Sequence, residues 1–390
     1  MSTDTTTTRQ IPFGRPMLGD AERAAAAAVL DGDILTHGPR VKDFEAGFAE
    51  FTGAPHAVAT ATCMAALHLA SWAFELGPDD EVLVPAQTHV AGAHAVEVTG
   101  ARPVFVDADP RTGNMDLALL EGLVGERTRG ISVVHYLGRP LDMGPVLELA
   151  RRRGLFVVED CAVALGATVD GTHVGLLGDI GCFSFYPVKH ITTGEGGMVI
   201  TRHDEVADRV GKQRAFGIDK SVLADRRHTG AYEIERLGLN YRLGEVGAAI
   251  GVEQLRRLPQ FLEVRERNFD ALYQGLSGVP GLRVLETGHD GARRSSHYCL
   301  SAVLDEGLGE PREHIIDELK RRGIGTSVYY PKSLPDTLYY RETYGFDEGS
   351  CPEATRISTR SIAFPVGPHL QEGDIDFMIT AVRDVMSEVR

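Results

Sequence analysis

Phe183-Ser-Phe-Tyr-Pro-Val-Lys189-His-Ile-Thr-Thr-Gly-Glu-Gly-Gly-Met198 changes character half-way along. The segment leading into it, Asp179 to Phe185, is apolar and β-prone, which predicts a buried strand. The back half is rich in Gly and Thr and predicts a loop. Gly196 to Thr201 then predicts another strand. Lys189 therefore stands at a strand end beside a Gly-rich turn, where α/β proteins place ligands. Pro187 restricts the backbone just before it. Position alone leaves two readings for Lys189, a solvated loop lysine or a reactive amine.

An earlier apolar strand, Leu155-Phe-Val-Val-Glu-Asp160, ends in a carboxylate. A strand-end acid, a strand and a strand-end lysine are what a pyridoxal phosphate site needs. The lysine amine condenses with the cofactor aldehyde. The carboxylate keeps the pyridine nitrogen protonated, so that the ring accepts electrons.

Five blocks occur in order along most of the chain: Ile34-Leu-Thr-His-Gly-Pro39, Val104-Phe-Val-Asp107, Glu159-Asp160, the lysine segment, and Gly238-Leu-Asn-Tyr-Arg-Leu243. Together they resemble the DegT/DnrJ/EryC1/StrS aminotransferases, fold-type I pyridoxal phosphate enzymes that act mostly on nucleotide-linked keto sugars. The resemblance implies an α/β fold. A large domain (16–255) would hold a mostly parallel central sheet flanked by helices, and a smaller α+β domain (256–390) would follow. Residues 1–15 are expected to be a flexible tail.

Composition sets outer limits. With 390 residues, 43% of them hydrophobic, the chain is long enough for two domains with cores of their own. A net charge of −15 without a basic arm or stripe argues against general nucleic-acid binding. Cys63, Cys161, Cys182, Cys299 and Cys351 form no CxxC pair and no metal-ligand spacing. Reduced thiols in a cytoplasmic protein are the expectation. No apolar run suffices to span a membrane, and the polar N-terminus lacks a signal-peptide core.

The resemblance also assigns residues. Lys189 becomes the catalytic lysine and Asp160 the pyridinium partner, with Glu159 facing the other way because strand side chains alternate. Thr62, Cys63 and Met64 open a helix after a short strand, where free amides and the helix dipole suit a phosphate. The family usually has a Gly-Thr or similar pair at 63–64, so a hydroxyl contact from position 64 is lost here. Ser184 matches the family's phosphate contact. His89 stands where an aromatic residue commonly stacks on the cofactor ring. Val163 stands where His or Gln is common near the ring hydroxyl, which removes one hydrogen-bond donor. Asn240 matches a residue that reaches the cofactor phosphate of the neighbouring subunit, so a homodimer with shared sites is expected. His37, His190, Glu195 and Tyr330 are the substrate-side candidates; each is open to a plain structural role. Asp107 is expected to cap a turn, and Arg242 is either an anion contact or an ion-pair member. The charged stretch Ile218–Glu235 is expected as a long loop near the substrate opening.

The expected reaction is transfer of an amino group from L-glutamate, or a similar donor, to a keto sugar, most simply a nucleotide-linked keto-deoxysugar. A keto-cyclitol is the competing acceptor. A sugar dehydratase would need histidine in place of Lys189 or an iron–sulfur cluster. A regulator without chemistry would not need Asp160, Ser184 and Lys189 together.

Overall fold

The computed structural model describes residues 9–219 and 232–389. Residues 1–8 of the expected tail and most of the expected loop Ile218–Glu235 lie outside the described residues.

Seven short apolar runs build the central sheet: β1 (His56–Thr60), β2 (Glu81–Pro85), β3 (Arg102–Val106), β4 (Thr128–Val134), β5 (Phe156–Asp160), β6 (Ile180–Ser184) and β7 (Gly197–Thr201). Their order is β1-β7-β6-β5-β4-β2-β3, and only β7 runs against the rest. Helices on both faces make these strands apolar throughout rather than alternating. On one face lie α1 (Asp20–Leu30), α2 (Pro39–Thr52) and the first half of a long helix described below. Phe183 and Phe185 of the lysine strand meet α2 there, with ring centroids 5.1 Å (Phe48–Phe183) and 5.0 Å (Phe44–Phe185) apart. All four rings are fully buried, so the strand that carries Lys189 is pinned by its own alternate residues. The other face packs against α3 (Cys63–Ala73), α4 (Ala91–Glu97) and, further along, α6 (Asp204–Gln213), whereas α5 (Met143–Arg153) lies on the α2 side, against Ile131, Val133 and Val157.

The long helix α7 (Glu245–Leu276) has 32 residues and contains Pro259. One helix forms because Gln254, Leu258, Phe261, Arg265 and Phe269 keep one face buried across the proline, and that burial outweighs its cost of about 3 kcal/mol. After it come β8 (Leu282–Val284), β9 (Leu300–Leu304) and β10 (Ser361–Phe364), an antiparallel sheet ordered β8-β9-β10. It is joined by α8 (Arg312–Arg321), α9 (Leu338–Tyr344), α10 (Pro352–Arg360) and α11 (Asp374–Glu388). Ser327 adds one bridge to this sheet, pairing with Ala363.

The tail is shorter than expected. Ile11 is 2% exposed; its amide donates to Gly323 O (2.8 Å) and its carbonyl accepts from Gly325 N (2.7 Å). Residues from Arg9 onward therefore pack onto the C-terminal half, because Ile11 adds an apolar side chain to that core.

Candidate active site

Asp160 and Ser184 end strands of the central sheet, and Thr62, His89 and Lys189 follow shortly after strand ends. β5 delivers two carboxylates to opposite faces. Glu159 is fully buried and accepts from His135 Nε2 (2.8 Å) and from the amides of Gly175 (2.8 Å), Leu177 (2.8 Å) and Gly178 (2.6 Å). Burial pushes its pKa up, but the His135 bond and those amides outweigh it and hold the group below the usual carboxylate range. Asp160, 5% exposed, makes one hydrogen bond, from Ala162 N (2.9 Å). Burial raises its pKa, opposed by that amide and by the Lys189 charge.

Beyond β6 the chain makes a turn, Tyr186-Pro187-Val188-Lys189, closed by Lys189 N donating to Tyr186 O (2.9 Å) with proline at its second position. Thr192 Oγ1 donates to Phe185 O (2.8 Å) and accepts from Gly194 N (2.9 Å), which ties the Gly-rich loop back to the strand. Lys189 Nζ ends 5.3 Å from the centre of the Tyr298 ring. Burial lowers its pKa, while Cys63, Asp160 and Cys299 push it back up. Lys189 and Asp160 are thus close enough for each charge to act on the other.

Thr62 caps α3, accepting from Ala65 N at 3.0 Å. This leaves the first-turn amides of Cys63 and Met64 without intrahelical acceptors, beside the positive end of the helix dipole. Gly197 lets β7 pass beneath this turn: a Cβ there would lie 2.5 Å from Thr62 O and 2.7 Å from Cys63 N. Ser184, half-buried at the end of β6, accepts from Tyr186 N at 3.4 Å.

His89 is exposed, its Nδ1 accepts from Ala91 N (3.2 Å), and its ring lies 5.7 Å from that of Tyr330 at 64°. Burial raises the pKa of Tyr330, with Asp160 adding to it, and the Asp160 charge also acts on His89. The structure therefore brings Asp160, Lys189, His89, Tyr330 and the opening of α3 together. Val163 is 3% exposed and belongs to an apolar cluster with Tyr136, Tyr298 and Cys299.

The other candidates lie apart or are occupied. His190 is buried and its Nε2 bonds to Ser296 O (3.0 Å). Burial drives its pKa well down, so the ring is neutral at pH 7. Glu195 is exposed on the Gly-rich turn. His37 is exposed, with φ of 58°, and lines a separate cleft with Lys42, Arg214 and Arg242. Asn240 is exposed too, and its backbone bridges to Ala215 at the same cleft. Arg242 forms no ion pair among the described residues and lies 5.0 Å from the Phe216 ring centre.

Sequence reasoning missed the aromatic wall. Tyr298 and Tyr329 join hydroxyls at 2.9 Å. Gln87 Nε2 (2.8 Å) and the Tyr136 hydroxyl both donate to Tyr329 O, which holds Tyr330 against His89. It also missed Glu245, whose carboxylate accepts from Gly38 N (3.0 Å), Arg40 N (2.8 Å) and Val41 N (3.3 Å) and fixes the His37 loop. A buried Glu at the start of a helix, after Gly244, was the available signal.

Residues 16–383 match the DegT/DnrJ/EryC1/StrS aminotransferase family. The chain belongs to this family. The aminotransferase is 38% identical to GDP-perosamine synthase of Caulobacter vibrioides, over 97% of this chain and 98% of that protein. It is 35% identical to the spore coat polysaccharide biosynthesis protein SpsC of Bacillus subtilis, over 96% and 97%. The PLP-form structure of a sugar aminotransferase, Spr1654 of Streptococcus pneumoniae, superposes with a TM-score of 0.91 at 28% identity, covering 98% of this chain and 100% of that one. Enzymes of this family use pyridoxal 5′-phosphate, and the residues present fit that group. A buried carboxylate held by a single amide, a depressed lysine and a helix opening with free amides supply an N–H acceptor, an amine and an anion site.

Proposed function

We propose that this aminotransferase moves an amino group from L-glutamate, or a similar amino-acid donor, to a nucleotide-linked keto-deoxysugar. The observation that carries the reading is that Lys189 and Asp160 are both buried and each charge acts on the other. The named relatives, a GDP-perosamine synthase and a sugar aminotransferase, support the class of acceptor. Pyridoxal phosphate, when bound, supplies an aldehyde for the amine and a ring that takes up electrons. Asp160 would face the ring nitrogen, the amides of Cys63 and Met64 with Thr62 and Ser184 would take the phosphate, and His89 would lie on the ring. Val163 offers an apolar contact in place of a hydrogen bond.

Lys189 performs the remaining work. Its pKa is lowered by burial, so the free amine accepts and returns a proton near neutral pH more readily than a solvated lysine does. The tyrosine wall, with Tyr298 3% exposed, keeps water from that amine. Tyr330 borders the acceptor side in this reading, and His37 with Glu195 lies at its approaches. His190 supports the pocket wall from behind. Residues 16–255 form the cofactor-binding domain and 256–390 the smaller domain that closes the site.

The test is the absorbance of purified enzyme supplied with pyridoxal phosphate, beside Lys189→Ala. Wild type develops a visible cofactor band that L-glutamate bleaches and a keto-sugar nucleotide restores; Lys189→Ala develops no lysine-linked band. Restoration by a keto-cyclitol alone moves the acceptor class. A band that no amino acid bleaches ends the aminotransferase reading. We also propose a cytoplasmic homodimer. Free thiols at all five cysteines and the lack of a helix long and apolar enough to cross a membrane, among the described residues, agree with the location. Cell fractionation tests it.

A further inference from the structure

Gln87 lies two residues beyond β2 and is 1% exposed. Its amide makes three hydrogen bonds. Nε2 donates to Tyr329 O (2.8 Å) and to the Tyr136 hydroxyl (3.3 Å), and Oε1 accepts from Ser358 Oγ of α10 (2.6 Å). Both N–H groups are thus in use. Tyr136 and Ser358 are buried as well, so water does not replace these bonds when the amide is lost. One side chain from the central sheet therefore grips two segments of the C-terminal half, 242 and 271 residues away along the chain.

The grip falls between two site residues. His89 follows Gln87 by two positions, and Tyr330 follows Tyr329 directly. The rings of His89 and Tyr330 lie 5.7 Å apart at 64°. Tyr329 O also accepts from the Tyr136 hydroxyl, so that carbonyl has a donor without Gln87. What Gln87 adds is a tie between the loop that carries His89 and the loop that carries Tyr330. A backbone bond from Leu334 N to Ala86 O (2.9 Å) keeps the two segments joined when the amide is removed. Tyr298, the ring beside Lys189, is held separately, its amide donating to Leu137 O (3.1 Å). Loosening Gln87 therefore frees Tyr330 against His89 and leaves the lysine end of the site in place.

We propose that Gln87 is a positioning residue for the acceptor half of the reaction: its amide sets the gap between Tyr330 and His89 that admits the keto sugar. This rests on the aminotransferase reading above. The donor amino acid is small, whereas a nucleotide-linked acceptor is large and its remote part must lie outside the reacting centre, past the two rings. A side chain that fixes their separation acts on the bulky partner first. A misplacement of about 1 Å in such a gap slows a reaction without touching its chemistry.

The experiment compares wild type, Gln87→Met, Gln87→Glu and Ser358→Ala as holoenzymes labelled with 3-fluorotyrosine, by fluorine NMR, with Tyr330→Phe assigning the Tyr330 line. In parallel, half-saturating concentrations are measured for bleaching of the cofactor band by L-glutamate, and for its restoration by 2-oxoglutarate and by the keto-sugar nucleotide that serves wild type. Gln87→Met keeps the length and loses all three bonds; Gln87→Glu keeps only the acceptor for Ser358 Oγ. Both are expected to shift the Tyr330 line and to raise the half-saturating keto-sugar concentration roughly 3- to 10-fold, the loss of one neutral hydrogen bond. The values for L-glutamate and 2-oxoglutarate stay as in wild type. Ser358→Ala removes a buried bond of the same amide but leaves Tyr329 tied, so its Tyr330 line and kinetics stay as in wild type; a purely structural Gln87 would not separate the two variants. If Gln87→Met does not fold, Gln87→Glu carries the test. A Tyr330 line unmoved in the folded variants, or an equal loss for 2-oxoglutarate and the keto sugar, overturns the proposal. Failure of every amino acid to bleach wild type overturns the aminotransferase reading instead, and the Tyr330 line still decides whether Gln87 holds that ring.

Discussion

His173 spends both ring nitrogens on the fold. Nδ1 bonds to Val174 O (2.6 Å) and Nε2 accepts from Gly166 N (2.9 Å). A second proton would remove the acceptor of Gly166 N, and the ring is 5% exposed. Burial lowers its pKa to about 4, and burial with the nearby His289 lowers that of His297 to about 3. In the unfolded chain both return to about 6.5. Between these values the unfolded chain binds more protons, so stability is full above pH 6.5 and is lost as pH falls toward the folded values. At pH 5 each ring is expected to cost about 2 kcal/mol relative to pH 7. Urea midpoints at the two pH values check this, with His173→Asn losing less on acidification than wild type; parallel losses would refute the assignment. Site residues followed the same division between legible and hidden. Asp160 and Glu159 could be told apart in advance, because a strand period of two is local. The burial of Arg265 on α7 could not be foreseen, since Arg256, Arg257, Arg265 and Arg267 look alike in a charged helix. Only the fold places the Tyr298 carbonyl over one of them.

Asp107 shows how one element end fixes another. It follows β3, and its carboxylate accepts from Ala354 N (2.8 Å, Oδ1) and Glu353 N (3.1 Å, Oδ2), the opening amides of α10. The expected structural role holds, although the partner is a helix 246 residues away rather than a local turn. A negative group at a helix N-terminus satisfies donors and meets the dipole. Asp107→Ala is expected to lower stability by about 1–2 kcal/mol, and Asp107→Asn by less, with the cofactor band unchanged in both. Loss of turnover at full thermal stability would instead place Asp107 in binding. The central strands were legible because doubly covered strands are short apolar runs between turn residues. Helices α4, α9 and α10 were not, and neither was β10. Residues 332–364 mix tyrosines, charges and glycines without a clear period. What orders α9 is tertiary: Tyr340 and Tyr344 hydroxyls meet Glu97 of α4 at 2.8 and 2.5 Å. Pro352 at the first position of α10 was the one local sign.

At the scale of the whole molecule the candidate residues divide between two places. The Lys189 pocket gathers Asp160, His89, Tyr330 and the opening of α3. Asn240 stands at the other cleft, with His37 and Arg242. Around it lie exposed apolar side chains, Leu237 at 71%, Ile34 at 55% and Leu35 at 52%. Apolar residues gathered on a surface suit an interface between subunits, and a two-fold axis would repeat every contact for the partner. The resemblance had implied that Asn240 serves the neighbouring subunit, and this remains a proposal that a mixing experiment tests. A shared site makes a prediction that a self-contained one does not. Lys189→Ala and Asn240→Ala are each expected to be nearly inactive at limiting pyridoxal phosphate. Mixed after subunit exchange, they form dimers in which one site combines the wild-type Lys189 of one subunit with the wild-type Asn240 of the other. Random pairing puts half of the dimers in that form with one sound site each, so activity returns to roughly a quarter of wild type. If Asn240 acted within its own chain, neither subunit of the mixed dimer would hold a complete set, and mixing would restore nothing.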